Sequence, residues 1–209
     1  VVRSAYLRAG QGSPRWPALA LALSQLDQPL PQNDDLPGER LSDQEQASPL
    51  RWVRDHRVLI PYARPPNGFP QVSYTDVIHQ RVPASLLQGR WILVGTTAMG
   101  MGDTVSVPGQ SGGRGLTGVE YEANVLNMLI QGTAITPMSL AGQLLLSILL
   151  VSLPMVLCGF PVFRQIWRPA LATIALTLLL SLLLLQFARL WFPASATLLV
   201  LAIGASVWV

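Results

Sequence analysis

The sequence predicts an α/β domain, a mixed sheet covered by helices, followed by an all-α bundle of three transmembrane helices. Three observations predict it. The chain of 209 residues is 50% hydrophobic and 12% charged, where a soluble domain carries about 25% charged residues. The charge is also split: all 11 acidic residues lie between Asp27 and Glu122, and beyond residue 137 only Arg164, Arg168 and Arg189 are charged. Within residues 1–137, short β-type runs alternate with helical patterns, as strands layered against helices do. Residues 1–137 are therefore assigned to the polar domain and 138–209 to the apolar helices.

In chain order, Val1–Leu7 alternates as a strand does. Trp16–Leu26 reads as a short buried helix, and Asp27–Asp55, polar and punctuated by Pro, as a loop. Arg57–Tyr62 is a short strand. Ser73–Gln80 is a helix whose Ser73 and Asp76 have the spacing of a capping box, and Ser85–Leu87 forms a further turn. Trp91–Val94, an apolar run ended by Gly95, is the best strand candidate. Met99–Thr117 is a Gly-rich loop. Gly118–Gln131 is a helix opened by a second capping-box pair, Thr117 and Glu120. On a helical wheel, Val119, Ala123, Leu126 and Ile130 share an apolar face, and Glu120, Asn124, Asn127 and Gln131 a polar one. Glu122 falls in the apolar arc, where a carboxylate needs a helix N-terminus, a partner or a pocket.

The apolar part holds three charge-free runs, at about 140–160, 169–188 and 191–209. About 20 apolar residues cross a hydrocarbon layer as a helix, the only open-chain form that satisfies its own backbone there. Pro154 is expected to kink the first, while Pro169 and Pro193 sit near helix starts. The loop between the first two carries Arg164 and Arg168 and the next loop only Arg189, so the positive-inside rule puts the two-Arg loop in the cytoplasm and residues 1–137 outside. Trp167 and Trp191 bracket the second span as interface anchors. The chain opens without a signal-peptide pattern and ends inside an apolar run, and is read as a piece of a longer protein.

Composition excludes several chemistries. All 14 basic residues are Arg, so neither a P-loop nor a Schiff base has its lysine. A single Cys158 in an apolar run gives no intrachain disulfide and no zinc cluster. Two histidines, His56 and His79, are too few for a His-metal site, and no G-x-S-x-G elbow is present. Residues 1–137 hold 11 Arg and 11 acids. The formal charge of +3 thus belongs to the apolar part, and nucleic acid is not an expected partner. No catalytic residue, metal or cofactor is expected.

A candidate ligand site lies at the C-terminal end of Trp91–Val94. Gly95, Thr96 and Thr97 form a turn there, and the helix beginning near Thr117 offers its N-terminus, a combination that suits a small anionic or polar ligand. Asp103 is either a ligand contact or a cap of its own loop. Arg114 is either an anion clamp or part of a surface loop. Glu122 completes the set.

Several segments together resemble the type 2 CHASE domain, the cyclases/histidine kinases associated sensory extracellular module. They are Arg57–Tyr62, Phe69–Val77, Val82-Pro83, Leu87–Ala98, Gly102-Asp103 and Gly118–Asn124, with Trp16–Ala22 where the family has its Pro-Ser-Leu-Ala-Leu-Ala helix. The resemblance covers most of residues 1–135, and order and spacing carry it more than any single motif. In the family an apolar-His-Ala-Asn sequence often stands where this chain has Glu122 in the His position. The family's N-terminal membrane helix and first sensory segment have no counterpart here. The resemblance implies the input module of a bacterial transmembrane receptor in the inner membrane, its sensory part periplasmic. It further implies an unknown small-molecule or environmental stimulus, the lipid bilayer and a cytoplasmic output domain in the same chain as partners, and a homodimer. Outputs in the family are histidine kinases, nucleotide cyclases, diguanylate cyclases, phosphodiesterases or serine/threonine kinases. The alternatives are a membrane-tethered enzyme and an accessory subunit of a membrane complex.

Overall fold

The computed structural model describes residues 1–26, 36–41, 48–62, 68–97, 104–108, 115–157 and 167–207. The chain divides into two compact units, Val1–Leu36 with Leu41–Ala134, and Pro37–Arg40 with Ile135–Val209.

In the first unit, strand β1 (Ser4–Gln11) is the centre of a three-stranded antiparallel sheet, flanked by β2 (Trp16–Pro17) and β3 (Trp52–Leu59). The period of two explains β1: Ala5 and Leu7 are buried while Ser4, Tyr6 and Arg8 are half-exposed. The chain reverses after β1 at Gly12, whose φ of +72° is a conformation glycine adopts without strain.

Helix α1 (Leu19–Ser24) is shorter than the expected Trp16–Leu26. Trp16 and Pro17 pair with Ala9 and Arg8 instead, and the Ala18 N–H is spent on the Leu7 carbonyl at 2.9 Å. The ladder thus takes the residues that local pattern gave to the helix, and Pro17 sits on the sheet edge, where a missing donor costs least.

Strand β3 likewise starts within the expected Asp27–Asp55 loop, because β1 offers hydrogen-bonding partners as far as Gln11, opposite Trp52. Its buried side changes midway. Val53 and Asp55 are buried, then His56 and Val58. His56 has φ +54°, a conformation uncommon outside glycine. It accounts for the change of face, while the pairs on both sides keep one register.

The short helices α2 (Tyr74–Ile78) and α3 (Ala84–Leu87) bury no residue. The Ser73–Asp76 capping box does not form, since the Ser73 side chain makes no cap bond. Asp76 instead meets Arg81 at 3.4 Å on the surface, a pairing worth little.

Trp91–Val94 is not a strand. Apolarity alone does not make a strand; a neighbour with free ladder groups does. Strand β3 takes one side of β1 and β2 pairs with Arg8 and Ala9 of the other, and the run pairs with no described strand. Leu93 packs on the core, but Val94 is 76% exposed. With this run unpaired, the described strands of this sheet are all antiparallel.

Strands β4 (Thr104–Val105) and β5 (Leu116–Thr117) form a small antiparallel pair that leads into helix α4 (Gly118–Ile130). The core is built from Ala5, Leu7 and Val58 of the sheet, Ala20 and Leu21 of α1, and Val125, Leu126 and Met128 of α4. Its α4 face centres on Val125 rather than on Ala123. Ile130 is exposed, and Asn124, expected on the polar face, is buried with its Nδ2 donating to the Glu120 carbonyl at 2.8 Å. The wheel misleads because Val119 and Ile130 mark the two helix ends, whereas α1 covers the middle.

The second unit contains β6 (Thr136–Pro137), α5 (Leu140–Leu157), α6 (Trp167–Ala188), β7 (Leu190–Trp191) and α7 (Ser195–Val207). Two helices, Leu140–Leu157 and Arg168–Ala188, are long and apolar enough to cross a membrane. The third expected span begins later than residue 191, since Leu190–Trp191 pairs in parallel with Thr136–Pro137; the apolar part of α7, Ser195–Gly204, is shorter than the other two. The three helices pack pairwise. Their polar groups are satisfied internally: Thr173 donates to the Pro169 carbonyl, Thr177 to the Thr173 carbonyl, and the Ser147 and Thr197 hydroxyls meet at 2.9 Å between α5 and α7. Apolar surroundings demand such closure.

Candidate functional site

A cleft of about 270 Å³ in the first unit is lined by Leu19 of α1, by Leu93, Val94, Gly95 and Thr96, and by Gly118, Val119 and Glu122 of α4. It brings Gly95, Thr96 and Glu122 of the expected set together beside the first turn of α4. Thr97 does not line it, and Asp103 and Arg114 lie outside the described residues.

Gly95 permits the close approach of the 93–96 run to α4. A Cβ there would stand 2.6 Å from the Cβ of Val119. Its place in the sequence is thus explained by packing.

The first turn of α4 is closed on itself. The Thr117 hydroxyl accepts from the Glu120 N–H at 3.4 Å, and Glu120 Oε2 accepts from the Thr117 N–H at 3.1 Å, forming the expected capping box. The other carboxylate oxygen of Glu120 accepts from Gln71 Nε2 at 2.7 Å. A negative side chain therefore already answers the positive end of α4.

Glu122 does the same for α1, from another helix. Ala18 at the N-cap of α1 has no side-chain acceptor, and its first turn carries no acid. The Glu122 carboxylate accepts a hydrogen bond from the Ala20 N–H instead. Burial pushes the Glu122 carboxyl above the usual range, against the opposing pull of that bond. Tyr121 beside it is raised by burial and by the charge of Glu122, and Tyr62 is pushed up to about 12 by burial and by Tyr121. The Tyr62 hydroxyl donates to the Val2 carbonyl at 3.0 Å.

Glu122 thus holds its proton to higher pH in the folded chain than in the unfolded one. The folded state binds more protons between the ordinary value of 4.5 and the raised one, so stability falls as pH rises through that window. Glu122→Gln keeps the acceptor for Ala20 and carries no charge. Denaturant midpoints measured across the acidic range should show a flatter pH profile for the variant, and stability at neutral pH at least equal to the parent's. A loss of about 3–5 kcal/mol at neutral pH would instead reveal a buried cation paired with Glu122.

Sequence reasoning missed the pair Asp55 and His56 in β3. Asp55 Oδ1 accepts from the Leu41 N–H at 2.8 Å and from the His56 N–H at 2.9 Å. The His56 ring is fully buried, its Nε2 lies 3.9 Å from Asp55 Oδ2, and neither ring nitrogen has a hydrogen-bond partner among the described residues. An Asp-His dipeptide entering an apolar run was the available signal; the tie to Leu41 had none. His79 is a surface residue whose Nδ1 lies 2.7 Å from the Thr75 carbonyl. No group of three or more potential metal ligands occurs among the described residues.

A family model described as the CHASE2 domain matches residues 1–157, a stretch that ends at the last residue of α5. Neither a curated protein nor a solved structure matches the chain.

Proposed function

Because the chain belongs to the CHASE2 domain family, a family of extracellular sensory domains, we propose that it is the input module of a bacterial transmembrane receptor. Residues 1–137 lie in the periplasm, the apolar helices cross the inner membrane, and an output domain follows in the cytoplasm. The observation that carries this reading is the extent of the match, which runs through the polar unit and the first membrane-length helix together.

The second unit supports the topology. Thr136–Pro137, just before α5, and Leu190–Trp191, just after α6, pair side by side. The start of α5 and the end of α6 thus share one end of the bundle, as two consecutive crossings require; in sequence, the loop between α5 and α6 carries Arg164, with Arg168 at the start of α6. That loop is cytoplasmic by the positive-inside rule. With α7 as a third crossing, the chain beyond Val209 continues inside. The receptor works as a homodimer, and a stimulus acts by binding one of two states of the outer domain better than the other. The cleft around Gly95, Thr96 and Glu122 is the proposed sensory site. Catalysis belongs to the output domain, not to this part of the chain.

Topology is testable in intact spheroplasts, after replacement of Cys158. A cysteine at Gln110 should react with a membrane-impermeant thiol reagent, and one at Gln165 should react only after lysis. The reverse pattern would reject the receptor. Reading the gene past codon 209 tests the rest: a kinase, cyclase, diguanylate cyclase or phosphodiesterase in frame is expected, and a stop codon soon after would point to an accessory subunit.

A further inference from the structure

We infer that the cleft takes a small organic cation with an apolar body, held by the Glu122 carboxylate. The inference rests on the sensory reading of that cleft, and it reverses the ligand charge expected from the sequence.

An anion would need free N–H groups at a helix start. Both helix starts at the cleft are answered already, α4 by its own Glu120 and α1 by Glu122. An anion would also face the Glu122 charge directly.

Among the described residues, the groups around Glu122 offer it no countercharge. Helix α1 (Leu19–Ser24) contains no charged residue, and neither does the run 91–97. On α4 the titratable neighbours are Glu120 and Tyr121, and Tyr62 stands beyond Tyr121; each is an acid. A half-buried carboxylate without a cation is costly unless it gains one or takes up a proton. Among the described residues one hydrogen bond, from Ala20, reaches the Glu122 carboxylate, which has about four acceptor positions.

The rest of the lining sets the ligand's shape. Leu19, Leu93, Val94 and Val119 are aliphatic, which suits methylene groups rather than a second charge. At about 270 Å³ the cleft is just smaller than the range of about 300–1,000 Å³ used for drug-sized ligands. A short alkylammonium fits this description; an amino acid, with its carboxylate, does not.

The test uses the 209-residue chain in lipid nanodiscs, with butylammonium as the probe and butyrate as the matched anion. Backbone hydrogen exchange is read by mass spectrometry in the millimolar range expected of so small a ligand. Butylammonium should slow exchange in residues 93–96 and 118–122 by about tenfold once it reaches ten times its dissociation constant. Butyrate should have no effect. Glu122→Gln should lose the protection while exchange in β1 and β3 stays as in the parent. Acidifying the parent should also abolish it, because a proton then competes for the carboxylate; this arm stands even if the variant folds poorly. Equal or greater protection by butyrate, protection that survives in Glu122→Gln or at acid pH, or no protection by either salt would overturn the inference. Thiol mapping and the downstream gene sequence decide the receptor reading separately, so the two can fail independently.

Discussion

Asp55→Ala should destabilise the first unit by about 1–3 kcal/mol for the buried His56 N–H that it orphans, with a smaller addition from the partly buried Leu41 N–H. Asp55 is only 6% exposed. The Leu41 N–H, 14 residues away, and the His56 N–H both end on Oδ1. The second is the more revealing, since His56 holds a left-handed φ that needs outside support. Asp55→Asn keeps an oxygen acceptor in the same place and should lose much less. Denaturant unfolding of the nanodisc-embedded chain gives the ranking, and amide exchange at Leu41 localises it. Equal midpoints for Asp55→Ala and the parent would mean that the carboxylate does not organise this part of the sheet.

Leu7→Ala should cost about 2–5 kcal/mol, the usual range for a leucine whose removal leaves a cavity. Leu7 has no exposed surface and belongs to the cluster formed by the sheet with α1 and α4. Its carbonyl also receives the Ala18 N–H that sets where α1 begins. The side-chain loss therefore falls on the core, while the backbone bond survives the substitution. Leu7→Met, nearly equal in volume, should cost less than about 1.5 kcal/mol. Comparable losses for both variants would mean that the site responds to shape rather than to a void.

What the sequence made legible follows from how far each feature reaches along the chain. The capping box of Thr117 and Glu120 and the helix behind it depend on neighbours three and four residues away, and they stand where the pattern put them. The two long apolar helices depend on composition alone and are equally plain. Features set by partners far along the chain were not readable. Trp16 and Pro17 join a strand because Arg8 and Ala9 lie across from them. Trp91–Val94 has the composition of a strand and no described ladder beside it. Glu122 could be recognised as a carboxylate in the wrong arc, but not as the cap of α1, because Ala20 is separated from it by most of the first unit's sequence. For the site, Gly95, Thr96 and Glu122 were reached by reasoning about strand ends and helix starts, and they do line one cleft. The expectation of an anionic or polar ligand did not include Glu122 at the start of α1, a placement that only the fold supplies.

The parallel pairing of Thr136–Pro137 with Leu190–Trp191 makes a clasp. The Thr136 N–H donates to the Arg189 carbonyl at 2.8 Å and the Met138 N–H to the Trp191 carbonyl at 3.1 Å, and the Ser181 hydroxyl ties α6 to the Phe192 carbonyl at 3.3 Å. The ends of α5 and α6 and the lead-in to α7 are thereby gathered at one place. For α5 to slide like a piston past its neighbours, both clasp bonds must open, each worth about 0.5–1.5 kcal/mol net. Rocking the clasp as one piece leaves them intact and moves the three helices together, in the manner of a tripod tilted from its head.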